Sequence, residues 1–274
     1  MRMPHRLLRA ILGAVEAIPA SAVIRRLAAA NEAPHDPPVG LPGAREIVDA
    51  GLYWTEYEAF VEVRSMRTVA FEALARFQRP DGTPLGTGSM FALLHADLSL
   101  LARAELALKR HQVEHAPRCE LFVNLDPDSW SNAGTDDAAA LLALLGAGPN
   151  PLVVEVIEHI DAADAVIGRE LVATLKSRGV PVALDDVGAM NGLLSFEALE
   201  EAEVLKFDRS LLRRLGRGRR RAIVEAFVRM ARATGARTVL EGVETPADLA
   251  LAVELGVDLV QGHLFRDRAI VARH

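Results

Sequence analysis

The chain of 274 residues is 50% hydrophobic and 25% charged, enough apolar material for a sizeable core, and this excludes the disordered, collagen-like and disulfide-rich classes. A formal net charge of −6 argues against a nucleic-acid polymer as partner, because bulk electrostatics would repel a polyanion. The single cysteine, Cys119, cannot close an intramolecular disulfide, so a reduced, cytoplasmic location is expected, with no transmembrane segment and no signal peptide.

Residues 1–30 set Leu8, Ile11, Leu12, Val15 and Ile18 on one helical stripe, with five arginines against one acid, Glu16, which predicts a basic amphipathic helical extension. Packing of that stripe against protein is expected, with a membrane surface as the alternative. Residues 34–43 (PHDPPVGLPG) carry four prolines and two glycines and are expected to form a linker without regular structure. The expected division is residues 1–50 as extension and linker, and 51–274 as the main domain.

From about residue 57 the pattern becomes rhythmic. Strands are expected at Ala59 to Val63, Thr68 to Phe77, Glu120 to Leu125, Leu152 to Ile157, Val180 to Asp185, Val204 to Phe207, Arg237 to Glu241 and Leu259 to Phe265. Helical stretches such as Leu93 to His115, Asp164 to Arg178, Ala222 to Thr234 and Pro246 to Leu255 lie between most of them. Eight strands alternating with helices predict an α/β fold, a closed (β/α)₈ TIM-type barrel; a doubly wound open sheet gives a similar string.

Polar residues interrupt these apolar runs toward the C-terminal strand ends: Glu72, Asn124, Glu155 and Glu158, Asp185 and Asp186, Lys206 and Asp208, Glu241 and Glu244, and Gln261. Singly, each could cap a helix or pair with a surface lysine. In a barrel they would converge on one mouth, where so many carboxylates repel unless cations neutralise them. An all-oxygen donor set points to Mg²⁺, Mn²⁺ or Ca²⁺ rather than zinc. Adjacent Asp185 and Asp186 suit two metals, and Lys206 adds a fixed positive charge. Metal-assisted phosphodiester hydrolysis follows, with an enolising or aldolase-type barrel using Lys206 as the competing reading.

The segments FEALARF, FVNL, VVEVIE, LDDVG, LKFDRS, LEGVET and DLVQGHLF, in this order, resemble the EAL-domain phosphodiesterases of bacterial cyclic di-GMP signalling, from about Tyr57 to Arg268. The resemblance implies a modified (β/α)₈ barrel and hydrolysis of cyclic di-GMP to linear pGpG by attack of a metal-bound water on phosphorus, with Mg²⁺ or Mn²⁺ in a two-metal site. It further implies that Glu72, Asn124, Glu155 and Asp185 are metal ligands, with Asp186 and Glu241 serving the second metal directly or through water. Lys206 then positions and polarises the attacking water, and Gln261 lies near it. Arg76 contacts a phosphate, Leu74 belongs to the substrate floor and Asp208 to the substrate-binding set. Glu158 and Glu244 hold the loop after Asp186.

Tyr57-Glu58-Ala59 replaces the family's tyrosine-glutamine-proline, and Val187 to Leu193 depart from its loop sequence, so a slow phosphodiesterase is expected. A weak or inactive cyclic di-GMP receptor that regulates a partner is the alternative. A homodimer and a regulatory protein bound through residues 1–50 are further expectations. The seven arginines between Arg209 and Arg221 read as a solvated helix approach or, alternatively, as a polyanion patch. His263 is expected to be a hydrogen-bonded strand-end histidine, with approach to a ligand as the alternative, and Cys119 a small apolar side chain.

Overall fold

The computed structural model describes residues 39–147, 150–157, 162–189, 196–214 and 218–273. The amphipathic extension expected over residues 1–30, Glu158, and residues 190–193 of the divergent loop lie outside the described residues. Among those described, no helix is long and apolar enough to cross a membrane.

Two compact units are present. In the first, residues 39–52 and 77–97, a helix spans Leu41–Asp49 and another Thr87–Leu94, and Phe77 and Gln78 pair antiparallel with Leu85 and Pro84. Buried Ala44, Ile47, Met90 and Leu94 supply its apolar contacts, and Arg45 Nη2 meets Asp97 Oδ2 at 2.7 Å. The linker expectation is corrected at its end: Leu41 to Gly43 form the first turn of a helix. Pro42 is tolerated there because the first N–H groups of a helix have no intrahelical partner to lose.

The second unit, residues 53–76 and 98 onward, contains the barrel. Its strands are β1 (Tyr53–Glu62), β2 (from Thr68), β3 (Glu120–Asn124), β4 (Leu152–Ile157), β5 (Val182–Val187), β6 (Val204–Phe207), β7 (Arg237–Leu240) and β8 (Leu259–Val260). A further short strand, β9 (Ile270–Ala272), pairs antiparallel with Thr55 to Tyr57 of β1. Strands β2 to β8 run parallel in sequence order, β1 pairs antiparallel with β8, and the β1–β2 pairing closes the ring.

The reversed first strand has a simple cause. Only residues 63–67 separate β1 from β2, and a parallel pair needs a crossover of a dozen residues or more. The open doubly wound alternative is excluded by this closure.

Helices Leu98–Glu114, Thr135–Ala147, Ala162–Ser177, Arg219–Thr234 and Pro246–Leu255 belong to this unit. The helix expected over Leu93 to His115 is divided at His95 to Asp97. Leu106, Leu141, Leu171, Leu175, Val224, Val228 and Leu255 bury helix faces in the same apolar cluster as the outward residues of the strands.

Inside the barrel, each strand contributes one residue to an apolar layer: Phe60, Ala70, Phe122, Val153, Ala183, Val204, Val239 and Leu259. Such layers are how a small barrel fills its interior. Beneath it, Arg237 makes a bidentate pair with Glu120, at 2.7 and 2.9 Å, between β7 and β3. The apolar layer is the floor on which the polar site stands.

Candidate active site

Side chains on a strand return to the same face every second residue. Two positions beyond the apolar layer, toward the mouth, the inward residues are Glu72, Asn124, Glu155, Asp185, Lys206, Glu241 and Gln261. All seven were expected from the sequence at strand ends, and the barrel brings them together. Because β1 runs the other way, its place in this ring is two residues before Phe60, at Glu58. The ring therefore holds five carboxylates, two amides and one ammonium.

Lys206 is 1% exposed and lies at the centre of the acids. Its Nζ is 2.7 Å from Glu155 Oε1, 2.9 Å from Glu241 Oε1, 3.0 Å from Asp185 Oδ1 and 3.6 Å from Glu72 Oε1. Gln261 Nε2 donates to Glu72 Oε2 at 2.6 Å and reaches Glu58 Oε2 at 3.4 Å, and Asn124 Nδ2 donates to Glu72 Oε1 at 3.0 Å. One cation and two amides do not balance five acids.

The proton affinities follow from that excess. Burial and then the charge of Glu72 push the Glu155 carboxyl well above the usual range, against the pull of Lys206. Burial likewise raises Glu241 well above it, with Lys206 opposing. Burial raises Glu72 too, but Lys206 and the hydrogen bonds it accepts outweigh that and hold it low. For Lys206, burial alone would lower the ammonium, yet Asp185, Glu155 and Glu241 keep it well above an ordinary lysine. Without another cation, this cluster binds extra protons.

Asp186 reaches the same mouth by a backbone device. Consecutive strand residues face opposite sides, so two adjacent aspartates cannot both point inward on a regular strand. The β5–β6 register shifts between Leu184 and Val187, and Asp186 adopts φ 55°, the left-handed region. Carboxylate oxygens of Asp185, Asp186 and Glu241 consequently lie within 4.8 Å of one another. Burial and the neighbouring Asp185 push the Asp186 carboxyl up to about 6.

These residues fit a divalent cation. The donors are all oxygen, which suits hard ions, and they carry surplus negative charge. Glu155 Oε2 and Gln261 Oε1 are buried without a hydrogen-bond partner among the described residues. An orphaned buried acceptor costs about 1–3 kcal/mol unless something satisfies it, and a cation does so.

Two glycines shape the adjoining wall. Gly242 has φ 66°, and a Cβ there would lie 2.3 Å from Cβ of Arg209. Gly262 has φ 147°, and its Cβ would lie 2.4 Å from the backbone N of Val243. Val243 N donates to the Gln261 carbonyl at 3.0 Å, so the missing Cβ lets two strand ends close up just above the ring.

A cavity of about 640 Å³ opens over this floor, within the usual range for small-molecule sites. Glu72, Asp185, Glu241, Glu244 and Gln261 line it. So do Glu56, Glu58, Arg209 and Arg266, which the sequence reading did not place there, and His263, which stands in the 3₁₀ turn His263–Arg268 rather than at a strand end. Leu74, Arg76 and Asp208 do not line it. Arg76 turns to β1 instead, with Nε 2.8 Å from Glu56 Oε2 and Nη2 3.4 Å from Glu58 Oε1. Asp208 Oδ1 accepts from Ser210 N at 2.9 Å at the start of the helix Arg209–Arg214. The missed acids Glu56 and Glu58 were legible only once β1 was known to be reversed, since reading every strand toward its C-terminus looks at the wrong end of this one. Cys119 is half-buried, with Sγ 2.8 Å from the Val69 carbonyl.

A family model described as EAL domain matches residues 45–267. The chain is 26% identical over 239 residues to the cyclic di-GMP phosphodiesterase RocR of Pseudomonas aeruginosa, covering 82% of this chain and 60% of RocR. It spans less than two thirds of the length of the curated relatives it matches. Among solved structures, the MucR phosphodiesterase of Pseudomonas aeruginosa in complex with c-di-GMP superposes with a TM-score of 0.63 at 26% identity, covering 82% of this chain and 95% of that one. BlrP1 of Klebsiella pneumoniae, in a manganese and c-di-GMP complex, gives a TM-score of 0.60 at 30% identity, covering 78% and 55%. A barrel with one reversed strand and a polar ring drawn in order from the matched segments therefore has a home, and this chain belongs to the EAL domain family.

Proposed function

We propose that the chain is a metal-dependent phosphodiesterase that hydrolyses cyclic di-GMP to linear pGpG. The observation that carries this reading is the convergence of Glu72, Asn124, Glu155, Asp185, Glu241 and Gln261 around Lys206 in one layer beneath an open cavity. The names of RocR and of the c-di-GMP complexes support the substrate, and the manganese complex of BlrP1 supports a divalent ion.

Glu72, Asn124, Glu155 and Asp185 would hold one metal, and Asp186 with Glu241 a second; Mg²⁺ or Mn²⁺ is the proposed ion. Bound there, divalent ions supply Lewis-acid stabilisation of charge on phosphate oxygens and lower the pKa of water. Lys206 is held as an ammonium at neutral pH, so it donates hydrogen bonds and orients an attacking water. Gln261, fixed by Glu72, leaves its buried Oε1 facing the same space. The floor of Phe60 and Phe122 excludes bulk water from below, which strengthens each of these contacts. Glu244, on the rim, and Glu158 are proposed to support the loop after Asp186. Leu74, Arg76 and Asp208 are proposed to act from the outer wall of the substrate site.

The receptor reading draws on one observation, the capture of Arg76 by Glu56 and Glu58, which withdraws a cation from an anionic ligand. A homodimer, a regulatory partner at residues 1–50 and a cytoplasmic location complete the proposal. The test is incubation with cyclic di-GMP and Mg²⁺ or Mn²⁺, following binding and pGpG together. Turnover that EDTA and Lys206→Ala both abolish supports the enzyme; binding without pGpG leaves the receptor.

A further inference from the structure

We infer that Arg266 is the residue of this pocket that binds a phosphate of the cyclic dinucleotide; the inference rests on the reading of the cavity as a cyclic di-GMP site. A dianionic ligand meets a wall of six lining acids, Glu56, Glu58, Glu72, Asp185, Glu241 and Glu244. It needs a cation whose charge is not already spent.

Lys206 is buried among four carboxylates. Arg76 is held by Glu56 and Glu58 and does not line the cavity. Arg209 and Arg266 both line it; the stem of Arg209 packs against Gly242 and the residue already has a partner, whereas Arg266 stands on the 3₁₀ turn His263–Arg268 that follows Gln261 and Gly262. Among the described residues Arg266 forms no ion pair. Its Nη1 lies 3.2 Å from His263 Nε2. A guanidinium carries only donors, so the imidazole nitrogen accepts, and the contact orients the arginine without neutralising it.

The remaining N–H groups present the planar fork that matches two phosphate oxygens. Position adds to this. The turn is fixed to the ring by the approach of Gly262 to the Val243 peptide and by the bond from Leu264 N to the Val243 carbonyl, 3.0 Å. Buried Phe265 anchors the same turn from within. An exposed arginine on a rigid turn can thus take a phosphate at the mouth while the scissile group sits over the ring.

The experiment is calorimetric titration of the full chain with cyclic di-GMP in Ca²⁺, comparing wild type, Arg266→Gln and Arg229→Gln. Arg229 is exposed on the helix Arg219–Thr234 and controls for net charge. Arg266→Gln is expected to weaken binding by about tenfold or more, the worth of a charge-assisted contact, and Arg229→Gln by less than about twofold. Raising the salt concentration should weaken wild-type binding more than that of Arg266→Gln, because the lost contact is a screened charge pair. Equal affinity of Arg266→Gln and wild type, or equal salt dependence, overturns the assignment while leaving the cyclic di-GMP reading intact. Failure of the wild type to bind at all removes both.

Discussion

Replacing Lys206 by Met removes the central cation of the metal-free ring while keeping most of the side-chain volume. Its Nζ lies between 2.7 and 3.6 Å from four carboxylates. One such pair is worth about 5 kcal/mol of Coulomb attraction at an effective dielectric near 20. Much of that is offset by desolvation, and removing one member of a buried pair costs about 3–5 kcal/mol in practice. Against a total stability of about 5–15 kcal/mol, this is a large fraction. Urea denaturation in EDTA at neutral pH should therefore show Lys206→Met losing about 3–5 kcal/mol.

The pH dependence has a definite sign. Glu155 and Glu241 are already raised in the folded state, so their protonated forms are favoured there, and the loss of Lys206 raises them further. Stability of the variant should recover as pH falls toward the ordinary carboxylate range and decline again as pH rises through the folded-state values. Saturating Mn²⁺ should stabilise the variant more than the wild type, since the ion enters a site with one positive charge fewer. A metal-free variant within about 1 kcal/mol of wild type, with no recovery at lower pH, would refute the reasoning.

Glu155→Gln keeps the shape of the ring but removes a buried charge; its metal-dependent cleavage should fall by at least ~10²-fold while circular dichroism is unchanged. Unchanged activity at limiting Mn²⁺ would sink the ligand assignment. Glu58→Gln loosens the hold on Arg76 and removes one acid from the cavity wall, so calorimetry should find cyclic di-GMP bound about two- to tenfold more tightly; equal or weaker binding contradicts it. Gly262→Ala places a Cβ against the Val243 backbone and should cost about 2–4 kcal/mol in urea. A stability equal to wild type would show that the two strand ends separate easily.

Much of this protein is legible without coordinates. The alternation of β-branched runs with helical stretches placed all eight barrel strands, because strand and helix periods are local properties of the chain, but the first begins earlier, at Tyr53, and the expected Leu259 to Phe265 strand stops at Val260, with His263 to Phe265 in a 3₁₀ turn. The polar residues at strand ends stood out for the same reason: Glu155 interrupts the otherwise apolar LVVEVI, and Asp185 ends the apolar run VAL. What tertiary structure decided is direction and pairing. The five-residue connection reverses β1, and this puts Glu58, not a residue near Val63, into the ring. A bulge with left-handed Asp186 turns the second aspartate inward, and Arg76 is drawn off by acids twenty and eighteen residues earlier in the sequence. The physical reason is range: hydrophobic periodicity reports which face of its own element a residue occupies, whereas the partner of a charge depends on which elements the barrel closure makes neighbours.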